Sequence, residues 1–146
     1  MLHQSHQHII GFQIQTSYAT AAQDMGLLWQ QAMQPDFVTR IPGALPEALY
    51  VVYTDYDSDY QGRYAAIIGY AVPAATVPPE GLVAVTLPAG TYTCDRAQGD
   101  LVEAVPRLWQ EIWQRPQTRT YQADYEVYTN PDAQTKQVDI YVGVKE

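Results

Sequence analysis

The chain has 146 residues, and much of it is written twice. "LYVVYTD" at 49–55 returns as "DYEVYTN" at 124–130, an offset of 75. "LLWQQAM" at 27–33 returns as "RLWQEIW" at 107–113, an offset of 80. "SYAT" at 17–20 is answered by "TYTC" at 91–94, and "IIGYAV" at 67–72 by "YVGVKE" at 141–146, both at an offset of 74. Four short matches in the same order constrain the fold strongly, because whatever one half forms, the other must form too. The unequal offsets reflect unequal loops.

Each half reads as strand, helix, strand, strand. In the first, Ile9–Tyr18 has strand composition. Thr20 then offers an N-cap to a helix over Ala21–Gln34 with a stripe of Ala21, Met25, Leu28 and Ala32. After the connector "QPDFVTRIPGALP", Tyr50–Tyr56 and Tyr64–Val72 form a hairpin around "DSDYQG". In the second half, Leu82–Leu87 and Thr91–Asp95 are extended and broken by "PAG". Asp100 and Glu103 resemble a capping box, and Leu101, Val105, Leu108 and Ile112 follow at helical spacing. Pro106 lies inside that helix and removes one of its hydrogen bonds. Tyr121–Tyr128 and Val138–Val144 form the last hairpin.

A helix buries one stripe, so it must pack on the sheet. The expected fold is α+β, a duplicated strand-helix-strand-strand unit with pseudo-two-fold symmetry. It has an antiparallel sheet, two helices on one face, and a ligand cleft between the halves. No composition shift separates the halves, so one domain is expected over 1–146, with repeats at about 8–72 and 82–146.

Formal charge is −8, from 8 Lys and Arg against 16 Asp and Glu. Nucleic-acid binders need a basic footprint, so direct nucleic-acid contact is not expected. The single cysteine, Cys94, excludes an internal disulfide and implies a reducing, cytoplasmic setting. The start, "MLHQSHQHII", lacks the charged and apolar regions of a signal peptide, and no run is long enough to span a membrane. Tyr numbers 12 and Trp 3, against only 2 Phe. Nearly every aromatic ring therefore carries a polar handle, which suits a surface that is both apolar and hydrogen-bonding.

Strand alternation assigns faces. Val138, Ile140, Val142 and Val144 share one face of the last strand, while Asp139, Tyr141 and Gly143 share the other. Glu126 lies with Asp124 and Tyr128, opposite Tyr125 and Val127. Placing Val127 with the valine face brings Glu126, Tyr128 and Tyr141 together, with Leu49, Val51 and Tyr53 at the equivalent place in the first half. Glu126 thus stands where the repeat has Val51. A carboxylate among aromatic rings on a dry face recruits a cation, by charge pairing and by cation–π attraction. Trp109 and Trp113, with Trp29 and Met33 at the matching places, serve either as helix packing or as walls of that cleft.

Other chemistry is thin. His3, His6 and His8 read as a frayed tail rather than a metal site. Cys94 has no neighbouring His to activate it and reads as a structural thiol. "TDYDSD" lacks the spacing of a calcium loop, and no phosphate loop or nucleophile elbow is present. No metal or cofactor is expected.

"LPAGTYTCDRAQGDLVEAVPRLWQEIW", followed by "ADYEVYTNP" and "VDIYVGVK", resembles the effector-binding domain of gyrase-inhibitor-like, AraC-type and multidrug-sensing bacterial regulators. It is also similar to the stand-alone drug-binding members carried on integron cassettes. The resemblance spans most of the chain and is strongest from Leu82 to Lys145. It implies a duplicated strand-helix-strand-strand fold. It further implies cationic, lipophilic aromatic ligands, bound between the halves on a buried glutamate in the motif that here reads "DYEVY". That maps the acid to Glu126, places Tyr141 in the terminal strand motif and Trp109 in the helix motif. The best-known relatives carry a DNA-binding domain ahead of this one. This chain has no residues for it, so a free-standing sensor, a drug-sequestering protein or a module working through a regulatory protein partner is expected.

The leading expectation is a non-enzymatic binder of organic cations, with Glu126 supplying charge and Tyr53, Tyr128, Tyr141 and Trp109 supplying walls. One alternative is a hydrolase using Glu126 as general base, with Asp124 and Asp139 as weaker acid–base candidates. Another is a gyrase-inhibitor-like protein-interaction module working through its acidic surface.

Overall fold

The computed structural model describes residues 2–59, 61–116, 118–129 and 137–145, without the side chains of Leu2, His3 and Val102. The turn "NPD" after Thr129 lies outside the described residues. Eight strands and two helices follow in the order β1 (Leu2–Gln4), β2 (Gln7–Ser17), α1 (Ala21–Ala32), β3 (Leu45–Thr54), β4 (Arg63–Val72), β5 (Val83–Leu87), β6 (Gly90–Gln98), α2 (Leu101–Gln114), β7 (Arg119–Thr129) and β8 (Gln137–Val144). The expected elements are all found. The histidine-rich start, read as a tail, instead supplies β1 and the beginning of β2. His6 and His8 hold neighbouring backbone and hydroxyl groups: His6 Nδ1 accepts the Ala89 N–H at 3.3 Å, and His8 Nδ1 meets Thr86 Oγ1 at 3.2 Å.

All eight strands form one sheet, in the order β1-β6-β8-β7-β3-β4-β2-β5, and every recorded pairing is antiparallel. Exchanging β2, β3 and β4 with β6, β7 and β8, and β1 with β5, reproduces this order read from the other edge. The central pair behaves likewise: Leu49 faces Tyr128, Val51 faces Glu126 and Tyr53 faces Asp124. Adding the repeat offset of 75 turns each pair into another of the same set, and Val51–Glu126 into itself. The two repeat-equivalent residues are thus direct neighbours across the β3–β7 seam.

The helices cover one face. Leu28 and Ala32 of α1 join Ile10, Val51 and Ile68 in one apolar cluster. Ile112 of α2 joins Val138, Ile140, Val142 and Val144 in another, with Leu101, Val105 and Leu108 packed against it. Thr20 precedes α1 as expected, but its hydroxyl donates to Asp24 Oδ2 at 2.8 Å instead of capping a backbone N–H.

The other face is also buried, although its cluster of Ile9, Val52, Ile67, Leu87, Tyr92, Ala123 and Tyr125 draws on no helix residue. Connectivity explains this. Only Ser5 and His6 separate β1, at one edge of the sheet, from β2, beside the other edge. Only Pro88 and Ala89 separate β5 from β6. Two extended residues reach only about 7 Å, so the edges must approach each other and the sheet must roll over its helix-free face. Gln7 ties this inner face together, accepting from Tyr50 Oη at 3.2 Å and donating to Tyr125 Oη at 3.5 Å.

Rolling demands close backbone approach, and Gly11 faces Gly69 across β2–β4 at such a point. A Cβ at either would lie 2.0 Å from a backbone oxygen of the opposite strand. Gly11→Ala should therefore lower unfolding free energy by on the order of 3 kcal/mol. Gly26→Ala makes the same chemical change where a Cβ meets nothing within 4 Å, inside α1. It should raise stability by about 0.5–1 kcal/mol. Urea melts of both variants check the opposite signs.

Candidate functional site

Between α1 and α2, above the β3–β7 seam, lies a cavity of about 360 Å³. All three tryptophans line it, together with Tyr18, Tyr53, Tyr56, Tyr64 and Tyr128, and no phenylalanine does. The two phenylalanines stack on each other at 4.9 Å in the apolar core. Five of the 12 tyrosines thus line this cavity, and Tyr50, Tyr92, Tyr125 and Tyr141 belong to the helix-free face. The α1 stripe divides its work: Leu28 and Ala32 are buried, whereas Ala21, Met25 and Trp29 face the cavity. Val105, Pro106 and Trp109 form the wall from α2.

The walls repeat. Trp29 packs edge-on against Tyr128 at 5.2 Å, and Trp109 edge-on against Tyr53 at 5.6 Å. In each case a helix of one repeat meets a strand of the other, closing the cavity across the seam. Tyr18 and Trp113 make a further edge contact at 5.5 Å. Met33, matched to Trp113 in the repeat, is exposed at the end of α1 and does not line the cavity.

Glu126 lies on the floor and is 2% exposed. Its Oε2 accepts from Trp109 Nε1 at 2.7 Å and from Tyr53 Oη at 2.8 Å, while Oε1 accepts from Tyr128 Oη at 2.8 Å. All three donors are neutral. No cationic side chain among the described residues forms an ion pair with Glu126. Burial pushes its carboxyl pKa up, and the three hydrogen bonds offset this only in part. The same burial, with the charge of Glu126, raises Tyr53 and Tyr128 well above the ordinary phenol, so both remain proton donors.

The structure brings together Glu126, Tyr53, Tyr128 and Trp109 and separates Tyr141 from them. The expected grouping set Val127 beside the valine face. The β7–β8 register instead places Glu126 opposite Ile140 and Tyr125 opposite Tyr141. Glu126 therefore shares the helix-covered face with the valines. Tyr141 stacks on Tyr125 at 4.7 Å on the helix-free face. There burial, followed by a hydrogen bond with Cys94, pushes its phenol up to about 12. Asp139 is on that face too, paired with Arg96 at 2.8 Å, so it is not a cleft acid. Cys94 is an exposed strand thiol.

Asp124 is fully buried on the Glu126 face, and its partner Arg119 was not anticipated. Asp124 Oδ2 accepts from Arg119 Nη2 and from Tyr56 Oη, each at 2.6 Å, and Oδ1 accepts the Gly143 N–H at 2.9 Å. Simple alternation puts residues 119 and 124 on opposite faces. A bulge reverses this: the five steps from Arg119 to Asp124 match two steps on β8, with Tyr121 at φ 53°. A shift of the same size recurs in β3, between Leu45 and Tyr50.

Residues 6–144 match the family model of Cass2, the integron-associated effector-binding protein. An integron cassette protein from the mobile metagenome of Vibrio cholerae is 24% identical, with a TM-score of 0.76 over 99% of this chain and 94% of that one. SAV2435, solved bound to tetraphenylphosphonium, is 17% identical, with a TM-score of 0.75 over 99% and 92% of the two chains. The C-terminal domain of EcmrR is 15% identical, with a TM-score of 0.55 over 100% and 99%. At these identities the likeness is one of fold. A search of curated protein sequences found no match.

The buried acid gives stability a definite pH dependence. A carboxyl whose folded pKa lies above its unfolded value contributes stability below the unfolded pKa and loses it as pH rises through the folded pKa. Ligand-free protein should therefore lose thermal stability relative to Glu126→Gln as pH climbs through that range. The Gln amide can keep two donors on its oxygen and give its own N–H to Tyr128. Melting curves of both proteins across pH 4–8 test this. A wild-type chain that gains on the variant with rising pH would mean that Glu126 is not held in a desolvated site.

Proposed function

The chain belongs to the integron-associated effector-binding family, and we propose that its ligands are cationic, lipophilic aromatic compounds held in the cavity between the helices. In this reading residues 6–144 act as one effector-binding domain. The observation that carries it is Glu126: a buried carboxylate with three neutral donors and, among the described residues, no ion-pairing side chain, on the floor of an aromatic cavity. Hydrogen bonds satisfy its lone pairs but leave its charge uncompensated, and a bound cation supplies the compensation. Tyr53, Tyr128, Trp109 and Trp29 line the cavity, and aromatic faces attract an organic cation without demanding a particular shape. The tetraphenylphosphonium bound to SAV2435, a protein of the same fold, supports this charge class.

Binding is read as the activity, with no reaction step assigned. The net charge of −8 favours action through a protein partner or by sequestration rather than by touching DNA. No helix among the described residues is long and apolar enough to cross a membrane.

Tetraphenylphosphonium and tetraphenylborate share a shape and differ in charge. The phosphonium should quench tryptophan fluorescence and raise the melting temperature, and the borate should do neither. Glu126→Gln should weaken phosphonium binding at least about 30-fold, as expected when one partner of a buried charge pair is lost. Because burial raises the Glu126 pKa, affinity should also fall as pH drops through it, and the Gln variant should show no such slope. Equal binding of the two ions, or an unchanged affinity in Glu126→Gln, would defeat this reading.

A further inference from the structure

The cavity has a second polar pole that the cation does not use. The Arg119 side chain lines the cavity while being only 4% exposed. Its Nη2 goes to Asp124, and the guanidinium lies over the Tyr121 ring at 4.4 Å from its centroid. Its Nε and Nη1 are buried, yet they find no acceptor among the described residues. Buried guanidinium donors left unmade are costly, because their desolvation is not repaid. Tyr56 Oη donates to Asp124 at 2.6 Å and accepts from neither of them.

We propose that Arg119 takes a hydrogen-bond acceptor from the ligand, so that the cavity selects monocations that also bear an uncharged carbonyl-type group. This rests on the cation reading given above and narrows it. The charge balance fixes the kind of acceptor. Arg119 and Asp124 cancel, leaving the single negative charge of Glu126. A monocation brings the buried set to neutrality. A zwitterion would leave one negative charge uncompensated in a dry site, which is disfavoured. The acceptor is therefore an amide, ketone or ester oxygen rather than a carboxylate. The β7 bulge is what makes the second pole possible, since it turns Arg119 toward the face that bears Glu126.

The test compares tetraphenylphosphonium with analogues carrying one carbamoyl group, at the meta or the para position of one ring, and with the para-carboxylate analogue. Affinities are read by calorimetry on the intact protein. At least one carbamoyl isomer should bind about tenfold tighter than the parent, the worth of one hydrogen bond to a charged donor. The carboxylate should bind no better than the parent. Arg119→Lys keeps a cation beside Asp124 but lacks the two free donors. The double variant Arg119→Met with Asp124→Asn removes the pair without stranding a charge. Both should abolish the carbamoyl preference, read within each variant as the ratio of carbamoyl to parent affinity. If the parent binds through Glu126 but neither carbamoyl isomer gains, the Arg119 assignment fails alone. If the gain survives in Arg119→Lys and in the double variant, it comes from elsewhere and the assignment again fails. If the parent does not bind wild-type protein, both readings fall.

Discussion

The candidate site depends on a carboxylate that the fold takes out of water without pairing it, among the described residues, with a cation. Desolvating an ion costs several kcal/mol even after relaxation, so Glu126 persists only because three donors are aimed at it. Each donor is fixed by something else. Tyr53 and Tyr128 stand on the two central strands, each braced by a tryptophan from a helix of the other repeat. Trp109 is held by the packing of α2 on β6 and β8. The donors come from β3, α2 and β7, so the acid is bound to both halves at once. Losing the helix packing would unmake the electrostatics, and losing the electrostatics would strand a charge in the core.

The duplicated chain accounts for the geometry of this arrangement. A repeat that pairs with itself must have one position that faces its own copy, and in this sheet that position is Val51 and Glu126. A substitution elsewhere would place its group to one side of the cavity. A substitution here places it at the seam, equally accessible to donors from either half. The valine that remains is buried and supplies the dry side of the floor. Nearly everything around the pair is doubled, including the tryptophan–tyrosine contacts and the bulges in β3 and β7. Polarity comes from Glu126, and then from Arg119, which stands at the place of Leu45 in the first-half bulge.

Much of this was legible in the sequence. The repeat gave the elements and their order, and the contrast of Val51 with Glu126 singled out the acid. Three features were not legible, each for a physical reason. The face carrying Tyr141 depended on the β7–β8 register, and a one-residue slip moves every side chain to the other face. Arg119 was hidden because period-two counting fails across a bulge, which is set by a backbone conformation at Tyr121 that no simple residue preference signals. The role of β1 was missed because three residues carry no periodicity, and their importance lies in where they attach. They pair with β6 at the far edge and so oblige the sheet to roll.

That roll bears on binding. β3 and β7 lie at the centre of the sheet, and residues on both of their faces are buried: Val51, Asp124 and Glu126 under the helices, Val52, Ala123 and Tyr125 on the inner side. A floor packed on both faces cannot sink or tilt to suit a ligand, so the carboxylate and its donors are set before anything binds, which lowers the ordering cost of association. The walls are different in kind. They belong to two helices that meet the sheet from separate repeats, and their rings attract by dispersion and by quadrupole, neither of which fixes a single pose. A rigid charge under adaptable rings discriminates strongly by sign and weakly by shape. On the reading proposed above, a module built this way takes many aromatic cations and rejects an anion of the same outline.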